Sequence, residues 1–566
     1  MDNYDYDVIV VGSGMSGGWA AKEFTEKGFK VLILDRGLPI EHGDYKTENV
    51  AKWDMEFRGQ HDREEAKREQ NFQRTSYLYD DYTKHHFIND RENPYYSEEG
   101  RQFDWFRPSM VSGKSLIWGR QSYRWGEIDF KANKKDGYGC DWPIRYKDLE
   151  PWYDYVETFA GISGDNNDDV EILPNSKFQP PFVMNIVERE IKNRVESKFP
   201  GRNIICARVA HLTKPTEEQM ELGRGQCQTR NECGRGCSFG AYFSSINATL
   251  PAAERTGNMT LRANALVQEV IYDPQTKKAS GVRVTDIKTN ENFTLTARVI
   301  FMCASSMSTV QILQNSRSET YNTGIGNTSG VLGHYIMDHL KGVEAKGTMP
   351  GYLEHYYKGR RPGGIYVPRY RNVNKQDTDF LRGYGFQGGA SRSGWNDAIK
   401  REGIGADFKN ANRQPGAWTF SLGMRGEGLP YFDNHMKLSE TKTDKWGFPI
   451  AIMSTSWKEN EWKIFEDARN TAVEMLEAAG LQNVVGINKP APVGNSNHEM
   501  GGARMGLDPR TSYLNRWNQN HEVSNLFVTD GAAFASGACQ NPSLTYMAVT
   551  ARAADYAISQ LKAGIL

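Results

Sequence analysis

The chain has 566 residues, with 69 Lys and Arg against 70 Asp and Glu, and 38% of its residues are hydrophobic. That length suffices for two or more domains with a large core. The near-zero net charge argues against a nucleic-acid or acidic-lipid partner, and no apolar run reaches the roughly eighteen residues of a membrane span.

The first predicted unit is a strand, a glycine-rich turn and a helix. Tyr6 to Val11 is a short apolar run, typical of a buried parallel strand. The Gly-x-Gly-x-x-Gly pattern that follows allows a tight turn, close approach of a pyrophosphate and packing of the helix on the strand. A second strand over 30–34 ends in an acid that suits ribose hydroxyls, although the pattern alone does not separate FAD from NAD. The candidate ligands are Gly12, Gly14, Ser16, Gly17, Asp35 and Arg36.

Residues 49–107 are rich in charged and aromatic side chains, among them Arg63-Glu64-Glu65 and several tyrosines. One interpretation is a solvated helix followed by a long loop. The other is a lid or a partner-contact insertion, because long ordered loops are often functional.

The middle of the chain alternates strands with helices. Residues 141–153 predict a loop leading into a helix, and residues 264–286 predict two strands joined by a turn. A buried strand over 298–303 precedes a helix that runs through Gln314. Residues 340–455 are rich in glycine, aromatic residues and alternating patterns, which suit an antiparallel sheet.

These elements predict a mixed α/β fold, with a Rossmann-type nucleotide-binding domain and an inserted α+β domain built on an antiparallel sheet. Nucleotide-domain character returns near 525–531, so the first domain is expected to be discontinuous. The predicted boundaries are 1–48, 108–165, 225–335 and 490–566 for the nucleotide-binding domain, 166–224 and 336–489 for the substrate-binding domain, and 49–107 for the insertion.

The C-terminal part contains a histidine and an asparagine in distinctive surroundings. His498 begins the pattern His-x-x-Gly-Gly-x-x-Arg-Met-Gly, and Asn541 begins Asn-Pro-Ser-Leu-Thr. A neutral histidine can take a proton from an alcohol, and an asparagine can orient the same hydroxyl. His498 and Asn541 are therefore the predicted catalytic pair. We interpret His334, His339 and His435 as ordinary packing or surface side chains.

Together these motifs resemble the glucose–methanol–choline (GMC) oxidoreductase family over most of the chain. Further matches are the loop over 112–119, the element from Trp142-Pro143 to Trp152-Tyr153, and the blocks between Glu427 and Pro449. The C-terminal blocks look like the branch of pyranose oxidases and bacterial FAD-dependent sugar dehydrogenases, including the glucoside 3-dehydrogenases. The resemblance implies FAD and adds as its contacts Ser112, Gly113, Ser115, Trp118, Gly119, Val267, Cys303, Ala304, Asp530, Gly531, Asn541 and Ser543.

The chain departs from that branch at two places. Pyranose oxidases carry a Thr-His pair whose histidine bonds FAD covalently, whereas this sequence has Leu116-Ile117. Isoleucine cannot form that bond, so FAD is expected to be held non-covalently. At the turn after the 298–303 strand, Ser305 stands where many family members have glycine.

Three of the seven cysteines, Cys227, Cys233 and Cys237, lie in one Gly- and Arg-rich loop. Reduced thiols, a zinc site and an iron–sulfur cluster are the open interpretations, and a disulfide fits an odd-numbered trio poorly. The resemblance favours a 3Fe-4S cluster, because several bacterial sugar dehydrogenases of the family hold one on a similar trio. The neighbouring arginines are expected to lower the thiol pKa values.

The resemblance implies a dehydrogenase that oxidises a secondary ring hydroxyl of a pyranose or glucoside, at C3, and passes electrons through the cluster. The alternatives are a pyranose oxidase that reduces O2, a gluconate 2- or glucose 1-dehydrogenase, and a non-catalytic electron-relay flavoprotein subunit. A small subunit and a cytochrome acceptor are the expected partners. Because the first strand starts so early, no signal peptide is expected, and we predict cytoplasmic synthesis, with periplasmic export only alongside a partner subunit.

Overall fold

The computed structural model describes residues 4–168, 170, 172–355, 362–392, 403–413 and 415–566. Parts of the predicted substrate-binding segments therefore lie outside the described residues. The strands are β1 (Tyr6–Val11), β2 (Val31–Leu34), β3 (Tyr96–Ser97), β4 (Ile205–Cys206), β5 (Met259–Arg262), β6 (Ala265–Asp273), β7 (Lys278–Asp286), β8 (Asn292–Met302), β9 (His339–Leu340), β10 (Val343–Met349), β11 (Ile365–Val367), β12 (Tyr384–Arg392), β13 (Trp418–Glu427), β14 (His435–Thr443), β15 (Pro449–Ser454), β16 (Gln482–Asn488) and β17 (Leu526–Val528). The helices are α1 (Met15–Glu26), α2 (Arg63–Glu69), α3 (Glu127–Phe130), α4 (Ala132–Asp136), α5 (Tyr146–Ala160), α6 (Ile186–Lys198), α7 (Glu217–Glu221), α8 (Thr249–Glu254), α9 (Ser306–Asn315), α10 (Gly405–Ala411), α11 (Glu459–Ala478) and α12 (Ser543–Lys562).

The first sheet has a parallel part in the order β5-β2-β1-β8, with β17 also pairing β8. Its central strands are apolar and buried on both faces: all residues of β2 and β17 and the last four of β1 are buried. The first half of β8 continues into an antiparallel meander with β7 and β6. The Rossmann-type arrangement predicted from the sequence is confirmed.

The second sheet is antiparallel in the order β16-β10-β13-β12-β11-β4, with β9 also pairing β13. Strand β13 shows why one face is buried: Trp418, Phe420, Leu422 and Met424 alternate with less buried residues. The buried face shares a core with α6 and α11. The other face carries smaller and polar side chains, including Gln387 on β12.

A third, small sheet joins β14, β15 and β3. The sequence predicted an antiparallel sheet over 340–455; β14 and β15 do pair antiparallel, but they form a separate sheet with β3 from the 49–107 segment. A strand's alternating pattern reports which face it buries, but it does not report which strand it pairs with.

The layout brings several chain turns to one edge of the first sheet. Gly12 follows β1 and Cys303 follows β8, so both lie at the carboxyl ends of adjacent parallel strands. Ligands bind at such an edge in open α/β sheets. Within the described ranges, no helix is both long enough and apolar enough to cross a membrane.

Candidate active site

The turn between β1 and α1 is built so that only glycine fits at two positions. Gly12 has φ +98°, and a Cβ there would lie 2.4 Å from the carbonyl oxygen of Cys303. A Cβ on Gly17 would lie 1.8 Å from the carbonyl oxygen of Gly12. At Gly14 the nearest atom to an added Cβ is 3.7 Å away, so its backbone is open to an approaching group. These are the three functions that a dinucleotide-binding turn requires.

A solvent-connected cavity of about 1690 Å³, its open mouth included, runs past this turn. The predicted residues that line it are Gly12, Gly14, Ser16, Asp35, Arg36, Gly113, Ser115, Trp118, Gly119, Val267, Cys303, Ala304, His498, Asp530, Gly531, Asn541 and Ser543. One cavity thus joins the glycine-rich turn to the predicted catalytic pair.

Two predicted contacts, Gly17 and Ser112, do not line the cavity. Gly17 lies behind it, against the carbonyl of Gly12, and its small size serves the packing of α1. Ser112 is buried, and its backbone N–H donates to Ser13 Oγ at 2.8 Å. Both residues therefore lie behind the cavity wall and contact the residues that form it, Gly12 and Ser13.

Asp35, at the end of β2, is held by three donors. Its carboxylate accepts the N–H of Ser13 at 2.9 Å, the hydroxyl of Ser13 at 2.5 Å and the N–H of Gly37 at 2.7 Å. These bonds fix a carboxylate on the cavity wall beside the glycine-rich turn, where it suits the ribose hydroxyls of a dinucleotide.

Two serines near the cavity adopt backbone conformations that favour glycine. Ser112 has φ +79° and ψ −16°, and Ser305 has φ +77° and ψ +139°. Many family members have glycine at the position of Ser305, and this φ explains why, because glycine adopts positive φ without strain. Conformations of this kind cost roughly 1–3 kcal/mol and cluster at functional sites.

The predicted catalytic side chains are in direct contact. His498 Nε2 lies 3.2 Å from Asn541 Nδ2. The backbone N–H of His498 donates to Asp338 at 3.0 Å, and its Nδ1 lies 2.9 Å from Nδ1 of His339. Burial holds the pKa of His498 well below its ordinary value, and nearby positive charges such as Arg425 lower it further. A neutral imidazole therefore faces the cavity at physiological pH.

His339 is one of the residues that sequence reasoning missed. Interpreted there as ordinary packing, it is buried and contacts the predicted base. Its only sequence signal is its place after Asp338, whose carboxylate accepts the backbone N–H groups of both Ser496 and His498.

The segment 49–107 supplies part of the cavity wall, and no residue of it was predicted at the site. The side chain of Tyr77 is 56% exposed, and Lys341 Nζ lies 4.0 Å from its ring centroid. The wall residues from this segment are Tyr77, Leu78, Phe87, Ile88, Phe106 and Arg107.

The three cysteines of the Gly- and Arg-rich loop line a second, smaller cavity together with His211. Cys233 Sγ lies 3.6 Å from His211 Nε2, and all seven cysteines are free thiols. Within the described residues, however, no group of three or more His, Cys, Asp or Glu side chains is arranged to hold a metal ion. Burial raises the pKa of Cys227 to about 11 and outweighs the lowering that the charge of Arg230 contributes, so the net shift there is opposite to the one expected.

Comparisons with known proteins agree with this architecture. Sequence models of the GMC oxidoreductase family match residues 97–341 with the N-terminal part and 430–550 with the C-terminal part. The chain is 26% identical to 2-methyl-1,2-propanediol dehydrogenase of Mycolicibacterium austroafricanum, covering 97% of this chain and 94% of the relative. It is 26% identical to the fructose dehydrogenase large subunit of Gluconobacter japonicus, with 99% and 98% covered. It is 24% identical to the gluconate 2-dehydrogenase flavoprotein of Pantoea cypripedii, with 96% and 92% covered.

Among solved structures, pyridoxine 4-oxidase from Mesorbium loti has the same fold, with a TM-score of 0.58 at 14% identity over 98% of this chain and 99% of that chain. The chain belongs to the GMC oxidoreductase family. It is therefore an oxidoreductase, and the family implies FAD; relatives of this chain are named as alcohol and sugar dehydrogenases. The glycine turn and the fixed carboxylate of Asp35 fit that cofactor.

Proposed function

We propose that this enzyme oxidises a secondary ring hydroxyl of a pyranose or glucoside, at C3, to the keto sugar. The observation that carries the proposal is the His498–Asn541 pair, 3.2 Å apart, on the wall of the cavity that also contains the glycine-rich turn. Relatives named for fructose and gluconate support a sugar substrate. The C3 position rests on the resemblance to the glucoside 3-dehydrogenases.

In the proposed reaction the residues of this chain position the alcohol and take its proton. The substrate hydroxyl donates to His498 Nε2 and accepts from Asn541 Nδ2, so it lies between the two groups that now contact each other. FAD, when bound, supplies the acceptor for the hydride of the CH–OH carbon. The amide of Asn541 holds the oxygen as it becomes a carbonyl.

The test is anaerobic flavin reduction by a pyranoside in a His498→Ala variant. Loss of a general base typically costs about 10²–10⁴-fold, so the reduction rate should fall by that factor with FAD still bound. The matched control is His334→Ala, which removes a histidine stacked on Phe432 away from the cavity. Near-normal reduction in His498→Ala would show that another group is the base.

We also propose the domain boundaries predicted from the sequence, with 49–107 as a lid or partner-contact insertion. The individual FAD contacts and the non-covalent binding of FAD are part of the same proposal. Limited proteolysis followed by mass spectrometry tests the boundaries. Release of FAD by acid precipitation tests the non-covalent linkage.

The cysteine loop carries a second proposal, that the protein holds an iron–sulfur cluster. Its support is the spacing of Cys227, Cys233 and Cys237 and their place around one cavity. The absence of a metal-binding group within the described residues argues against it, so no electron-transfer step is assigned to the loop. Iron analysis and electron paramagnetic resonance decide: iron-free, fully active protein contradicts the cluster.

We further propose a small subunit and a cytochrome acceptor, with export alongside that subunit. One relative is itself named as a large subunit. Affinity purification from the native host, followed by cell fractionation, tests both points. Recovery of the chain alone from the cytosol would contradict them, and rapid peroxide formation would favour an oxidase instead.

A further inference from the structure

We propose that His339 is a positioning residue that fixes which ring nitrogen of His498 carries the proton. This inference rests on the proposed role of His498 as the base. It concerns a different residue and a different property, the tautomer of the base rather than its presence.

A backbone carbonyl fixes which atom donates in each of these hydrogen bonds. His339 Nε2 lies 3.1 Å from the carbonyl oxygen of Gly537. A carbonyl only accepts, so His339 Nε2 carries hydrogen. Burial lowers the pKa of His339 to about 4, so its ring is neutral near pH 7 and has just one N–H. Its Nδ1 is therefore an acceptor.

That acceptor determines the state of His498. The two Nδ1 atoms of His339 and His498 lie 2.9 Å apart, so His498 Nδ1 must be the donor. Ser496 Oγ lies 3.5 Å from the same nitrogen, at the limit of a hydrogen bond. Because the His498 ring is also neutral, its Nε2 has a lone pair and no hydrogen.

The hydrogen bonds on the other side of His498 agree with this assignment. Asn541 Nδ2, a donor, lies 3.2 Å from His498 Nε2. The Oδ1 of the same amide accepts from Gln387 Nε2 at 2.5 Å. Every bond from Gln387 to Gly537 thus has one donor and one acceptor, and reversing the His498 tautomer would set N–H against N–H at Asn541.

The consequence is a base whose lone pair is aimed at the cavity before the substrate arrives. In the other tautomer, Nε2–H faces the hydroxyl and cannot take its proton. Asp338 and His339 act together: the carboxylate of Asp338 holds the backbone N–H of His498, and the ring of His339 holds its Nδ1–H. After proton transfer, Nδ1–H still has its acceptor.

The experiment compares wild type with His339→Leu and His339→Gln by anaerobic stopped-flow. Leucine removes the acceptor, whereas the glutamine amide offers a carbonyl to His498 and an N–H to Gly537. We expect His339→Leu to slow saturating flavin reduction by at least about 10-fold, with the apparent substrate Kd changed by less than about 3-fold, and His339→Gln to recover most of the rate.

A second measurement reads the tautomer directly. In protein labelled with ¹⁵N at its 11 histidines, the His498 signals, assigned with His498→Ala, should show a protonated Nδ1 in wild type. Protonated Nε2 in wild type overturns the inference, even if His339→Leu does not fold. An unchanged reduction rate in folded, FAD-loaded His339→Leu also overturns it. A wild type that no alcohol reduces contradicts the proposed function itself.

Discussion

The low pKa of His498 predicts an unusual pH dependence of flavin reduction. The neutral ring is the active form, and burial lowers its pKa, so activity should persist to lower pH than for an exposed histidine. A base with an ordinary pKa of about 6.5 would be about nine-tenths protonated at pH 5.5, which slows the reaction about 10-fold relative to pH 8. Because the pKa of His498 lies well below that value, we expect a change clearly smaller than about 10-fold from this group.

The assay is saturating, anaerobic stopped-flow reduction from pH 5.5 to 8, with bound FAD measured at each pH. Asp338 must be separated from His498, because burial and the charge of Glu499 raise the pKa of Asp338 to about 7. An Asp338→Asn variant removes that titration but keeps an oxygen acceptor. A break near pH 6.5 that persists in Asp338→Asn would refute the reasoning about His498.

Three further predictions concern binding, strain and substrate orientation. Gly17→Ala places a methyl group 1.8 Å from a backbone oxygen and should reduce bound FAD at least about 10-fold by absorbance, whereas Gly423→Ala, whose Cβ meets its nearest atom at 3.6 Å, should retain it. Ser305→Gly relieves a left-handed φ and should stabilise the protein by roughly 1 kcal/mol in denaturant unfolding; destabilisation would contradict the strain argument. Asn541→Leu should slow flavin reduction about 10²-fold, and an unchanged rate would remove Asn541 from the mechanism.

The nucleotide-binding unit was predictable because its signals are local. An apolar strand, three glycines at fixed spacing and an acid after the second strand are all read within about 35 residues, as β1, α1 and β2 confirm. The contact between His498 and Asn541 needs the whole fold, and the residue-by-residue resemblance rather than periodicity pointed to it.

Sequence-based prediction failed for features that depend on residues far away in the sequence. The sequence indicated only an ordinary packing or surface histidine at His339, because its significance depends on His498, 159 residues away. Strands β14 and β15 have ordinary alternation, and only the partner strand β3 reveals the third sheet. The cavity contacts of 49–107 arise from a segment with little regular structure, where periodicity offers no guide.

Substrate choice has a physical reason for being hard to predict. The face of the second sheet opposite its core carries Gln387, Ser421 and Arg425, short or flexible polar groups with no family motif. Relatives at 24–26% identity act on a diol, a ketose and a sugar acid by their names, so the scaffold accommodates different alcohols.

The most direct test of the central claim is an anaerobic titration of the FAD-loaded protein with methyl β-glucoside, followed by the visible flavin absorbance. Because the anomeric carbon is blocked, bleaching reports oxidation at another carbon, and the account predicts stoichiometric bleaching with the 3-keto glucoside as the product. Full retention of the oxidised spectrum with this and other pyranosides would contradict it.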